Sequence, residues 1–333
     1  MRRVSWAGAL LGLALLTALV LWQGVGLLSQ TFAQLGWRIL WLPLVYLVPM
    51  AAALLSWRDL FPPKKVPGLG LCTYGVWINF AINWLLPVGQ VGGELARMRL
   101  LIQRQFPAPL AIASVVGDQT LQLVSQALYG LLGLLLLLGH LGQGQGQGPL
   151  WGTVGVSLIV VTAISGGFYW VQHRGLFHLL SRVGRKFPRL FNAPANQSLE
   201  EQAQAIDQTL RQLYGRRDRL LAAGLWRMVF RLTAAAETWL ALRFLGAPVS
   251  IGDALILESL GQAIRSAAFL IPGGLGAQEG GLMVIGAALG LPPALGLSLS
   301  LCKRVRELLL GVPGLVALQI EEGRRLVNQT RGG

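Results

Sequence analysis

Charge is scarce in this chain. Only 13% of its 333 residues are Asp, Glu, Lys or Arg, where a soluble domain carries about 25%. Hydrophobic residues make up 53%, and the mean hydropathy is +0.57. Together these exclude an ordinary soluble globular domain and predict a polytopic membrane protein. Cysteine is nearly absent. Cys72 and Cys302 both lie in apolar segments, which argues against a disulfide framework and against a thiolate metal site. Histidine is equally sparse: His140 stands alone, while His173 and His178 sit in a basic loop without a matching carboxylate or cysteine. No metal and no cofactor are therefore expected. No GxSxG, HExxH or GxGxxG occurs in the right context. The run GQGQGQG within 139–150 lacks the Lys-Ser/Thr of a phosphate-binding loop. Acids are scarce too, 14 against 28 Lys and Arg, for a net charge of +14. In a soluble domain that excess would suggest nucleic acid. Here no nucleic-acid motif is visible, and the basic residues read as anchors of cytoplasmic loops.

What the chain does have is a pair of interrupted apolar segments. The first is PVGQVGGELARMRLL from Pro87, the second IPGGLGAQEGGLMVIGAALG ending at Gly290. Both read Pro-x-Gly-x4-Glu, as Pro87, Gly89 and Glu94 and as Pro272, Gly274 and Glu279, with an offset of 185 residues. Pro107 falls on Pro292 and Met98 on Met283 in the same register, and Asp118 falls opposite Lys303, next to Arg304. Proline lacks a backbone donor, and the glycines weaken helix further; these are Gly89, Gly92 and Gly93 in the first copy and Gly273, Gly274 and Gly276 in the second. Broken backbone at membrane depth needs protein or water to satisfy it. Two such breaks predict an internal repeat, with both breaks facing one cavity near the midplane.

The segments follow in order. Val4–Leu28, after a basic start, is expected to be an uncleaved first span, and Leu35–Trp57 a second. Lys64 and Lys65 place the next loop inside. Residues 69–104 are expected to form a broken hairpin, and Pro107–Leu138 a tilted span. The charge-free loop 139–150 would be external, and Trp151–Val171 would span back. Loop 172–219 holds nine Lys/Arg against four Asp/Glu and is expected inside. Within it Leu199, Ala203, Ile206, Leu210 and Leu213 recur at helical spacing, behind a Ser198-x-x-Glu201 cap, predicting an amphipathic helix on the inner membrane face or on the protein. Leu220–Leu245 spans outward, 251–290 forms the second broken hairpin, and Pro293–Leu318 returns inward. The expected fold is all-α, about eight hydrophobic segments in two inverted repeats, residues 1–138 and 151–333, with both termini cytoplasmic.

The intramembrane charges are the candidate site. An ionisable residue at the bilayer centre costs about 2.5–3.5 kcal/mol on insertion scales, so it seeks a partner or a water-filled cavity. Asp118, Gln122 and Ser125 share a helical face, widened by Gln119 and Gln126. Glu258, Gln262 and Arg265 share another; Arg227 and Arg231 lie one turn apart with Glu237 deeper; Lys303, Arg304, Arg306 and Glu307 cluster in the last span. Glu94, Arg97 and Glu279 flank the breaks. Each charge has two readings. Asp118–Arg304 and Glu258–Arg265 can be ion pairs fastening helices, and Arg227 and Arg231 can snorkel to headgroups. Alternatively the set lines an amphiphilic cavity whose cations grip a phosphate headgroup. A membrane transferase, or an accessory subunit of one, using Glu94 or Glu279 as general base is the alternative function.

The two blocks PVGQVGGELARMRLL (87–101) and IPGGLGAQEGGLMVIGAALGLPPALGLSLSLCKRVRELLLGVPG (271–314) resemble the flippase-like membrane family typified by the transmembrane region of lysylphosphatidylglycerol synthases. The first block resembles the branch associated with hopanoid biosynthesis. The resemblance implies a cytoplasmic-membrane protein that moves or presents amphiphilic lipids, phospholipid or hopanoid, with lipid-biosynthesis or lipid-export partners. Gly93-Glu94, Pro272 to Glu279 and Arg304 match the family's motifs. Relatives often carry Glu-Arg-x-x-Asp where this chain has Asp118-Gln119 and Gln122, a loss of charges that leaves the family's headgroup preference open for this chain. The soluble aminoacyl-transferase domain of such synthases is not in this sequence, so the chain is not expected to be an enzyme.

Overall fold

A computed structural model describes residues 35–86, 91–142, 199–267 and 277–331. Among these residues all regular structure is helical. A 3-10 turn, Gly36–Leu40, leads into α1, Trp41–Asp59. Then come α2, Leu69–Leu85; α3, Gly92–Gln103; and α4, Ala108–Gly142. The amphipathic segment forms α5, Leu199–Gly215, followed by α6, Arg217–Phe244. The chain closes with α7, Ile251–Ala267; α8, Ala277–Ala288; and α9, Pro293–Arg331. The expected spans 4–28 and 151–171, the loop 143–150, and the break residues Pro87, Gly89, Pro272, Gly273, Gly274 and Gly276 lie outside the described residues.

The helix bounds repeat. α3 and α8 coincide at both ends when shifted by 185 residues, α4 and α9 begin at the same shift, and α1 and α6 end at it. The packing repeats with them. α2 packs on α3, and α7 on α8; α3 packs on α4, and α8 on α9; α1 packs on α2, and α6 on α7. Between the halves, α4 packs on α7 and α9 on α2, while α1 and α6 pack on each other. Exchanging α1–α4 with α6–α9 leaves this scheme of pairings unchanged. Glycine makes both crossings close. A Cβ on Gly311 would meet the Leu85 side chain at 2.8 Å, and one on Gly133 would collide with Ser259.

Two long helices bear out the reading of membrane spans. Gly36–Asp59 and Ala108–Leu141 are long and apolar enough to cross a membrane. α6 and α9 exceed them or come close in length, but carry the charges described below, so apolarity alone does not mark them. α2 and α7 have 17 residues each and α3 and α8 have 12. At about 1.5 Å per residue none reaches the ~30 Å of a hydrocarbon core. Helix α2 ends at Leu85, just before the first predicted break, and α3 begins beyond it at Gly92; the second break, from Pro272 to Gly276, lies outside the described residues. The helices run past the residues expected to span, α4 to Gly142 and α9 to Arg331. α5 lies on the protein. Its Ile206, Leu210 and Leu213 are buried, Leu213 reaching Gly117 of α4, and the Tyr214 and Thr120 hydroxyls meet at 2.9 Å.

Candidate functional site: a buried belt of ion pairs

The molecule is charged within and apolar without. Among the described residues seven cations are buried (Arg97, Arg227, Arg231, Arg265, Lys303, Arg304 and Arg306) together with five acids, Glu94, Asp118, Glu237, Glu258 and Glu307. Leu44, Leu47 and Val48 of α1, Leu128 and Leu135 of α4, and Leu221 and Leu225 of α6 face outward. A soluble protein would bury the second set and expose the first. Lipid around the outside and a polar interior account for both.

The first group forms where α2, α3, α4 and α6 meet. Gly93 brings the start of α3 so close to the Asn79 carbonyl that no Cβ would fit, and its amide donates to Asn83 Oδ1 at 3.0 Å. Glu94 is thereby delivered to a cage of amides. Asn79 Nδ2 donates to it at 3.1 Å, Asn83 Nδ2 at 3.2 Å, and Gln119 Nε2 closes the cage from α4. One turn further along α3, Arg97 donates to Asp118 Oδ2 at 2.8 Å, its guanidinium 4.7 Å from the Trp57 ring centroid. The other Asp118 oxygen accepts from Arg227 Nε at 3.1 Å and from Arg227 Nη2. One carboxylate thus serves two guanidinium groups. Arg231 donates instead to the Gln122 carbonyl at 3.2 Å.

The second group joins α6, α7, α8 and α9. Glu258 accepts from Lys303, Thr238 and, at 3.1 Å, Gln262. Arg265 donates to Glu307 and, at 3.1 Å, to Gln278. Arg304 lies 3.4 Å from both Glu279 and Glu307, and Ser300 donates to Glu279 at 3.1 Å. Arg306 stands 2.9 Å from Glu237 without hydrogen-bond alignment, and its guanidinium lies over Tyr46 at 3.8 Å and Trp84 at 4.8 Å.

The candidate residues Glu94, Arg97, Asp118 and Gln122 therefore fall in one group, and Glu258, Arg265, Glu279, Lys303 and Arg304 in the other. The pairings offered by the fastening reading are not the ones formed. Asp118 is paired with Arg97 and Arg227, and Arg304 with Glu279 and Glu307, so these two do not pair with each other. Glu258 and Arg265 take Lys303 and Glu307 as partners, because seven residues of helix separate them by about 10 Å, beyond side-chain pairing. Arg227 and Arg231 do not snorkel; both are buried between helices. The asparagine cage was missed by the sequence reading. Its signal was there: Asn79 and Asn83 are one turn apart on a single face of an otherwise apolar segment. Of the break segments 87–94 and 272–279, only residues 91–94 and 277–279 lie within the described residues.

These features define an all-helical membrane protein with a charged interior, built from two similarly packed groups of four helices. A family model described as "Lysylphosphatidylglycerol synthase TM region" matches residues 9–314. The chain belongs to that family. No match was found among curated proteins or among solved structures.

Proposed function

We propose that this protein moves or presents polar-headed or anionic lipids across the cytoplasmic membrane, without catalysing a reaction on them. The observation that carries the reading is the buried belt. Burying seven cations in a lipid-surrounded bundle is costly, and their number exceeds that of the buried acids. A surplus of buried positive charge suits a negatively charged headgroup, with acyl chains left in the surrounding lipid. The repeated pairing scheme supports a second part of the proposal: the two four-helix groups lie in the membrane with opposite orientation, so that breaks entered from opposite faces approach one another. Such an arrangement would let two similar half-sites alternate in access. Anionic phospholipids and polar-headed hopanoids both suit this description, and lipid-biosynthesis or export proteins would be the natural partners.

Reconstitution tests it. In proteoliposomes with fluorescent phosphatidylglycerol in both leaflets, dithionite should bleach about half the label without the protein and nearly all with it. Bleaching that stays at half would reject translocation. Conversion of the lipid to a new species in the same vesicles would favour the transferase alternative.

A further inference from the structure

The ion pairs leave one cation over. In the first group Asp118 is shared by Arg97 and Arg227, and Glu94 is enclosed by amides. Arg231, 7% exposed, has no carboxylate partner among the described residues. Its only hydrogen bond there runs from Nη2 to the Gln122 carbonyl of α4, and its Nε is buried without a partner. Beyond Gln122 the same face of α4 carries Gln126 and Tyr129, at four and seven residues. Both amide atoms of Gln126 are buried without a partner, and so is the hydroxyl of Tyr129, a residue with 0% exposure. Tyr129 lies within electrostatic range of Arg231. Glu258 is in range of both, but its carboxylate is held by Lys303, Thr238 and Gln262.

We propose that Arg231, Gln126 and Tyr129 bind the phosphodiester oxyanion of a phospholipid headgroup. The inference rests on the lipid-translocation reading and narrows its substrate class. Burying polar atoms without partners is costly, and the unpartnered atoms of Gln126 and Tyr129 lie on the face of α4 whose Gln122 carbonyl holds Arg231, a guanidinium without a carboxylate partner among the described residues. Water would satisfy the hydrogen bonds but not the charge. An oxyanion satisfies both, taking donors from Arg231 Nε, the Tyr129 hydroxyl and Gln126 Nε2. The remaining Gln126 Oε1 can accept from a headgroup hydroxyl. A polyol headgroup without phosphate would leave the guanidinium uncompensated, which selects phospholipid over hopanoid.

Binding of dihexanoylphosphatidylglycerol to the full chain in detergent, followed by calorimetry, tests the site, with dihexanoylglycerol and inorganic phosphate as separate arms. The expected result is binding of the phosphatidyl compound alone. Tyr129→Phe and Gln126→Leu should each weaken it about tenfold, with the melting temperature of the unliganded protein unchanged or raised. Arg231→Gln should abolish it. Equal binding of dihexanoylglycerol would overturn the proposal, as would unchanged affinity in both Tyr129→Phe and Gln126→Leu, an outcome that leaves the site to water. Inorganic phosphate binding as tightly as the lipid would overturn the phospholipid assignment in favour of a free anion. The two layers fail separately. Wild-type translocation with unaltered binding in the variants rejects this site, whereas residue-dependent binding without translocation rejects the transport reading.

Discussion

Arg304 faces Glu279 across α9 and α8 at 3.4 Å, in the register where, 185 residues earlier, Gln119 of α4 donates to Glu94 of α3. The two contacts are the same contact made twice, once with a guanidinium and once with an amide. The second half keeps an ion pair. In the first, three amides stand in for the cation, and positive charge has moved one helix away, to Arg97, Arg227 and Arg231. The halves have thus kept their packing while diverging in charge.

That equivalence makes a prediction. Gln119→Arg should give Glu94 the partner that Glu279 already has. The expected outcome is a folded protein whose melting temperature in detergent rises by a few degrees, on the order of 1 kcal/mol. A fall would mean that repulsion from Arg97 and Arg227 outweighs the new pair and that the two positions are not interchangeable.

Asp118 and Arg304 should respond differently to neutralisation. Asp118→Asn strips the carboxylate that Arg97 and Arg227 share, and breaking buried pairs in this way costs about 3–5 kcal/mol. Arg304→Gln leaves Glu307 with Arg265 and Arg306, so its cost should be smaller. Exchanging the charges, Asp118→Arg with Arg304→Asp, should be at least as damaging as Asp118→Asn, because the two side chains belong to separate groups. Melting curves of the three variants check the order, and recovery in the exchange would refute the pairing described above.

Much of this was legible in the sequence. The 185-residue register read from Pro87 and Pro272 predicts the ends of α8 from those of α3, because a break signature is local and needs no tertiary knowledge. The amphipathic period of Ile206, Leu210 and Leu213 likewise announced α5. Partner choice was not legible. Equivalence in a repeat places Asp118 opposite Lys303 on paper, but equivalent positions need not touch, and Asp118 is held by Arg97 and Arg227 instead. Glu258 and Arg265 share a helix face, yet their partners come from α9, and only the packing of α7 on its neighbours reveals that. The role of α2 was hidden for a simpler reason: asparagines in an apolar run look like lapses until Glu94 is seen between them.

The two glycine crossings should be sensitive to added bulk, and to similar degrees. Gly311→Val would push into Leu85 and Gly133→Val into Ser259, an overpacking cost of about 1–3 kcal/mol each. Gly323→Val, with nothing within 4 Å of its added Cβ, is the control and should leave the melting temperature nearly unchanged. Tolerance at both crossings would show that the halves are not held together there.

Orientation decides whether the repeat is inverted, and it can be read without a structure. Loop 172–219 carries nine basic residues and 139–150 none, so the first should be cytoplasmic and the second external, with both termini inside. Cys72 and Cys302 are buried, so the native background for an impermeant thiol reagent should be low. In intact cells Gln145→Cys should label and Arg185→Cys should not; after permeabilisation both should. This outcome places an odd number of crossings between the two positions. With the basic loop 58–67 inside, it makes the hairpin α2–α3 start from the inner face and α7–α8 from the outer. Labelling of Arg185→Cys in intact cells would reverse the second half alone, leaving two four-helix groups of the same orientation. Exchange of the halves would then correspond to an axis along the membrane normal, and alternation between inward and outward half-sites would have no structural basis.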